Sequence, residues 1–172
     1  AGVDSTNTEG YFNDLRKYDP AQNEWVLISG ADTLNTPGSY GTQGVGSPSN
    51  YPGSRINTQG WIDADDHIWV FGGFGHDKRD SVYYLNDLWN YNPVSGAWTW
   101  LDGADTTNAI GTYGTSGVPD VNNFPGARAN GATWIDLDGN VWLFGGYGYT
   151  INSTEGWLND LWKYDPVAGI WT

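Results

Sequence analysis

The chain has 172 residues, enough for one ordinary hydrophobic core, with 11 Trp, 11 Tyr, 25 Gly and 8 Pro and neither Cys nor Met. A formal net charge of −13 argues against nucleic acid and anionic membranes, and no run approaches the ~18 apolar residues of a membrane span. Without Cys there are no disulfides, thiolate nucleophiles or thiolate metal sites.

In chain order, residues 1–28 open the pattern with Asn13-Asp14-Leu15, then Tyr18-Asp19-Pro20 and Trp25. The Gly/Thr/Asn-rich link Ser29–Arg55 follows, containing Tyr40-Gly41-Thr42 and ending in Pro52-Gly53 and Arg55. After Trp61 and the doublet Gly72-Gly73, the opening motif returns as Asn86-Asp87-Leu88, with Tyr91-Asn92-Pro93 and Trp98. The link Asp102–Arg128 repeats the first, with Tyr113-Gly114-Thr115 and Pro125-Gly126 before Arg128. Trp134, Gly145-Gly146, Asn159-Asp160-Leu161, Tyr164-Asp165-Pro166 and Trp171 complete a further copy, each 73 residues from its predecessor. Such self-similarity without insertion or deletion signals a repeat architecture.

Four strands are expected per period: near Ala97–Leu101 for the fourth, then near Ala129–Asp136, Val141–Phe144 and Trp157–Tyr164 for the first three of the next copy. Asp138-Gly139 between apolar runs marks a tight hairpin, and Asp165-Pro166-Val167-Ala168-Gly169 sets Pro early and a φ > 0 residue late. Asn23 takes that last position in the first copy, and Asn tolerates it well.

An apolar strand ending in Gly-Gly, a later Tyr-Asp-Pro and a Trp seven residues after the Tyr resemble kelch repeats. Tyr18-Asp19-Pro20 with Trp25 and Tyr164-Asp165-Pro166 with Trp171 fit; Tyr91-Asn92-Pro93 departs by one residue. The period of 73 exceeds the ~50 of an ordinary kelch repeat, as in the long repeats of exported bacterial proteins. The resemblance implies an all-β fold, a partial β-propeller of four-stranded antiparallel blades. Residues 1–28 are expected to form a half blade (strands three and four). Residues 29–101 and 102–172 are expected to form a blade each, the last incomplete at its fourth strand. About two and a half blades fall short of the 4–8 that close a propeller. An open array bares apolar faces costing on the order of 10 kcal/mol each, so the expected partners are further blades of a longer chain or other copies of the same one. The opening Ala1 fits a processed export product or an excised piece.

Strand parity places both long links and the connections Phe74–Tyr83 and Tyr147–Gly156 at one end of the blades, where recognition is expected. The candidates there are residues that differ between copies: Phe74, His76, Asp77, Lys78, Arg79 and Asp80, with Tyr147, Tyr149, Thr150 and Asn152. Arg55 and Arg128 are expected near a central channel, bonded to a carbonyl or carboxylate or binding an anion. Tyr40 and Tyr113 are expected to pin their links. Asp14, Asp87 and Asp160 are expected to satisfy backbone donors where strand three begins.

Asp136, Asp138 and Asn140 alternate like the opening of a Ca²⁺ loop, and Asp63, Asp65 and Asp66 approximate it. The remaining ligands are missing, so exposed hairpin turns are the favoured reading. Asn152-Ser153-Thr154 is a glycosylation sequon by pattern. His67 and His76 are too few for a His-rich metal site, and the Tyr–Cys cofactor of some kelch copper oxidases cannot form without Cys. No nucleophile with a paired base stands out. The expected function is a non-catalytic, extracellular or cell-surface, bacterial scaffold without cofactor, binding protein or glycan through its long-loop face. The alternatives are a self-assembling filament subunit and, third, a glycan-active enzyme fragment.

Overall fold

A computed structural model describes residues 2–3 and 7–172; among these there is strand, turn and loop but no helix. Two short pairs come first: β1 (Gly2–Val3) with β2 (Glu9–Gly10), and β3 (Leu15–Asp19) with β4 (Glu24–Ser29). The second blade holds β5 (Arg55–Ile56), β6 (Gln59–Ile62), β7 (Ile68–His76), β8 (Val82–Asn92) and β9 (Ala97–Asp102). The third holds β10 (Arg128–Ala129), β11 (Ala132–Ile135), β12 (Val141–Tyr149), β13 (Glu155–Asp165) and β14 (Ile170–Trp171). Every pairing is antiparallel, and β5 and β6 together form one broken first strand against β7, as β10 and β11 do against β12.

The break falls at Asn57 and Asn130, which adopt positive φ of 56° and 60°. Opposite it, Gly72 and Gly73 take φ of 58° and 101°, and the β7–β8 register shifts between Phe71 and Gly73. A Cβ on Gly73 would lie 2.7 Å from Thr58 and 2.8 Å from the Ile56 carbonyl, so side chains are excluded there. The doublet is therefore a bulge inside the strand and not its end. This corrects two expectations. The second strand continues past Phe144 to Tyr149, and half of each supposed loop, Phe74–Tyr83 and Tyr147–Gly156, is paired strand. Only residues 77–81 and 150–154 remain as loops, because Phe74↔Tyr84 and Tyr147↔Trp157 extend the ladder beyond the bulge.

The turns follow local hydrogen bonding. Asp19 Oδ1 accepts the amides of Ala21 and Gln22, and Asp165 Oδ1 those of Val167 and Ala168. Asn92 Oδ1 accepts Val94 and Ser95 in the same way, so the one departure from Tyr-Asp-Pro keeps the acceptor that the turn needs. Asn23, Gly96 and Gly169 all take positive φ, at 55°, 68° and 69°.

Faces of neighbouring blades supply the core. Trp69, Phe71 and Leu88 of the second blade pack with Val141, Leu143, Trp162, Tyr164 and Trp171 of the third. Leu15 of β3 meets the second blade's Tyr40, Trp89, Tyr91 and Trp98 cluster. Asn86 spans the junction, donating from Nδ2 to the Pro125 carbonyl at 3.1 Å while its Oδ1 accepts the Ala104 amide. Asn13 repeats both bonds one copy earlier, with Pro52 and Ala31. The Asn of the repeated triplet is thus a blade-to-blade clip.

Candidate functional site

A polar cluster lies inside each of the second and third blades. Asp87, expected to bond backbone amides, instead accepts only side-chain donors in the middle of β8. Arg55 grips it at 2.7 Å from both Nη1 and Nη2, and Tyr40 Oη and Trp89 Nε1 donate to Oδ2 at 2.6 and 2.7 Å. Arg55 also donates to the Gly72 and Gly53 carbonyls, so the bulged doublet turns a carbonyl toward the guanidinium. Arg128, Asp160, Tyr113 and Trp162 repeat the cluster around the Gly145 carbonyl. Burial opposes ionisation of Asp160, but hydrogen bonds and charge from Arg128, helped by Trp162 and Tyr113, hold its carboxyl below the ordinary range. Burial, reinforced by the Asp87 charge, pushes the Tyr40 hydroxyl well up. Tyr40 and Tyr113 do tie their links to the blades.

The long links do not gather as free loops at one end. Gly44 and Ser47 donate to the carbonyls of Trp100 and Trp98 on the edge strand β9, and Asn50 Nδ2 also reaches Trp98. Asp120 and Asn123 do the same to the Trp171 carbonyl on β14. Each link therefore runs down the outer edge of the blade it enters and covers unpaired strand groups. The expectation that all elaboration lies on one face is corrected accordingly.

What is left at the loop end is compact. Asp77 organises the 77–81 loop: Oδ1 accepts the amides of Arg79 and Ser81, and Oδ2 accepts Thr107 from the departing link. Lys78 pairs with Asp105 at 3.0 Å, and His76 Nδ1 lies 2.6 Å from Asp80 Oδ1. Arg79 is exposed. In the 150–154 loop the Thr150 and Thr154 hydroxyls meet at 2.7 Å, and Asn152 is exposed within the sequon.

Between these loops lie aromatic rings. Phe74 packs against Tyr11, Tyr83 and Tyr84, and Tyr84 against Tyr147 and Tyr149 across the junction. Tyr149 Oη donates to Glu155 at 3.0 Å. One junction earlier, Gly10 holds the place of Tyr83, and a cavity of about 470 Å³ opens there, lined by Glu9, Gly10, Tyr11, Asn35, His76 and Val82. The structure thus brings Phe74, Tyr147 and Tyr149 together and sets His76 at the neighbouring cavity. Arg55 and Arg128 lie apart, their side chains 6% and 0% exposed. Tyr83, Tyr84 and Glu155 were not among the candidates from sequence. An aromatic at positions 11, 84 and 157 of the repeat was the available signal.

The acidic turns are internally satisfied. Asp136 accepts the amides of Asp138 and Asn140 and the indole N–H of Trp142, and the hydrogen bonds of Trp142 and Asn140 draw its carboxyl down to about 2. Among the described residues no three His, Asp or Glu side chains are placed to hold a metal ion.

Comparison with known proteins adds the following. No family model matches the chain. It is 26% identical over 165 residues to human Kelch domain-containing protein 3, covering 94% of this chain and 33% of that protein, and the bovine protein matches at 25%. It is 26% identical over 68 residues, 40% of the chain, to the N-acetylneuraminate epimerase of Haemophilus influenzae (strain PittEE), of which the match covers 18%. The solved structure of YjhT superposes with a TM-score of 0.56 at 14% identity, covering 95% of this chain and 50% of that one. The chain spans about a third of the length of the kelch-domain relatives it matches.

Proposed function

We propose that this chain, similar over most of its length to a kelch-domain protein, is a non-catalytic stretch of β-propeller scaffold that binds a protein partner at the loop end of its blades. One observation carries the reading. Arg55, Asp87, Tyr40, Trp89 and Asn86 are spent on the blades, whereas the aromatic group beside loops 77–81 and 150–154 reaches solvent. Tyrosine-rich patches on rigid frames suit protein contact, since Tyr brings a large contact area at small conformational cost. A glycan is the other ligand that such rings accept. Placing this at a bacterial cell surface belongs to the same proposal.

A photo-crosslinking residue at Asn152 tests it, with Val94, 92% exposed on a turn at the opposite end, as control. Saturable adducts from position 152 and none from position 94 are expected. Equal labelling, or none at the loop end, overturns the reading. Turnover of a sugar by the purified chain overturns its non-catalytic part.

A second reading is favoured by the outward face of the third blade. There Phe144 and Leu161 are 48% and 53% exposed, while their counterparts Phe71 and Leu88 are buried by a neighbour. That face takes another blade of the same kind, from a longer chain or a second copy. Sedimentation that shifts with concentration, and loses that shift in Leu161→Glu, tests the second source.

A further inference from the structure

We infer that the tyrosine cluster at the junction of the second and third blades is a docking site for an arginine side chain of a protein partner. The inference rests on the scaffold reading and names the chemistry of its site. Tyr83, Tyr84 and Tyr149 have ring centroids 5.6, 6.3 and 6.5 Å apart, with planes inclined at 59–77° to one another. Tyr147 adds a ring 5.8 Å from Tyr84. Tyr83 remains 37% exposed. Glu155 accepts the Tyr149 hydroxyl, is itself exposed, and has no cationic partner among the described ion pairs.

The repeat separates what packing needs from what it does not. The position of Tyr84 holds Tyr11 and Trp157 in the other copies, so an aromatic there serves the blades. The position of Tyr83 holds Gly10 and Gly156, and that of Glu155 holds Glu9 and Val82. A blade is built without a tyrosine at the first of these positions and without an acid at the second. Their meeting at this junction therefore calls for another reason. Tyr rings attract a cation over their faces, and a carboxylate already fixed by a tyrosine keeps lone pairs for a further donor. A guanidinium satisfies both: its plane lies on a ring while its fork of N–H groups reaches the carboxylate, which a lysine ammonium does less well. The neighbouring Glu155 carboxylate, through hydrogen bonding and its charge, pushes the Tyr83 hydroxyl up. Arg79 on the adjoining loop opposes an incoming cation, but Asp80, with 61% of its side chain exposed, stands next to it. The net charge of −13 draws basic partners to the whole surface. A neutral saccharide would stack on the rings but leave Glu155 without a counter-charge.

The test titrates the 172-residue chain with the peptide acetyl-Gly-Gly-Arg-Gly-Gly-amide and with its citrulline counterpart, followed by NMR of backbone amides and tyrosine rings in the uniformly labelled chain. The arginine peptide is expected to shift Tyr83 and Tyr149 saturably, with the citrulline peptide roughly tenfold weaker. Glu155→Gln should weaken binding by about tenfold and Tyr83→Ala by about fivefold, while Tyr149→Phe, which keeps its ring, should lose less. Unchanged amide shifts at Leu88 and Trp89 confirm that a variant still folds. Equal binding of the two peptides, or shifts confined to the exposed acidic turns, overturns the inference. So do saturable shifts with a neutral oligosaccharide and none with arginine. If the peptides fail while crosslinks at Asn152 persist, the arginine site falls and the scaffold stands; if those crosslinks also vanish, the scaffold reading falls with it.

Discussion

The second and third blades are two copies of one pattern under different cover. In the second, Phe71 and Leu88 lie between neighbours at 1% and 0% exposure; in the third, Phe144 and Leu161 occupy the same strand positions at 48% and 53%. The internal ion pair follows suit, since the Asp87 side chain is sealed and that of Asp160 is 16% exposed. The pairing of the first three strands, the glycine bulge and the arginine–aspartate cluster are the same in both. The repeat therefore encodes the inside of a blade, and the neighbour decides how much each of its faces contributes.

Paired substitutions sharpen that contrast. Asp87→Ala leaves Arg55 buried without its counter-charge and is expected to cost about 3–5 kcal/mol, against roughly 2 for Asp160→Ala, where water reaches the site. Equal losses in denaturant titrations would break the comparison. Tyr40→Phe removes a fully buried hydroxyl bonded to a carboxylate and should cost about 1.5–3 kcal/mol, with Tyr113→Phe at about half that.

The smallest effect is in acid. Asp160 and Asp136 have depressed folded-state values, so each contributes stability that is present above the ordinary carboxylate value of 3.8 and is lost as pH falls through the depressed value, about 2 for Asp136. Burial raises Asp102, whose contribution is instead present at low pH and is lost as pH rises through its raised value. Asp160→Asn should flatten the acid limb of unfolding midpoint against pH, and Asp102→Asn should steepen it. Unchanged limbs would remove these carboxylates from the account.

Much of the fold was legible because the repeat is periodic and its turns have local chemistry. Asp19, Asn92 and Asp165 cap their own hairpins, and Gly96 and Gly169 sit where φ must be positive. Strand extents were not, since Gly72-Gly73 reads as a terminator in sequence but is a bulge when a partner strand continues beside it. The links misled for a related reason. Their polar, glycine-rich composition looks free, yet the bonds that fix them go to edge-strand carbonyls that no local pattern shows. At the site, Phe74, Tyr147 and Tyr149 stood out by differing between copies, whereas Tyr84 was hidden by its similarity to Tyr11 and Trp157. Glu155 meets the hydroxyl of Tyr149 across a hairpin, a contact that no local pattern shows.

The unfolding free energies of Leu88→Ala and Leu161→Ala, measured side by side in dilute solution, test the neighbour's contribution most directly. Burial at one position and solvent at the other predict a loss of about 2–5 kcal/mol for Leu88→Ala and less than about 1 for Leu161→Ala. Losses of the same size would mean that the blade alone sets its packing, and that account of the faces would be wrong.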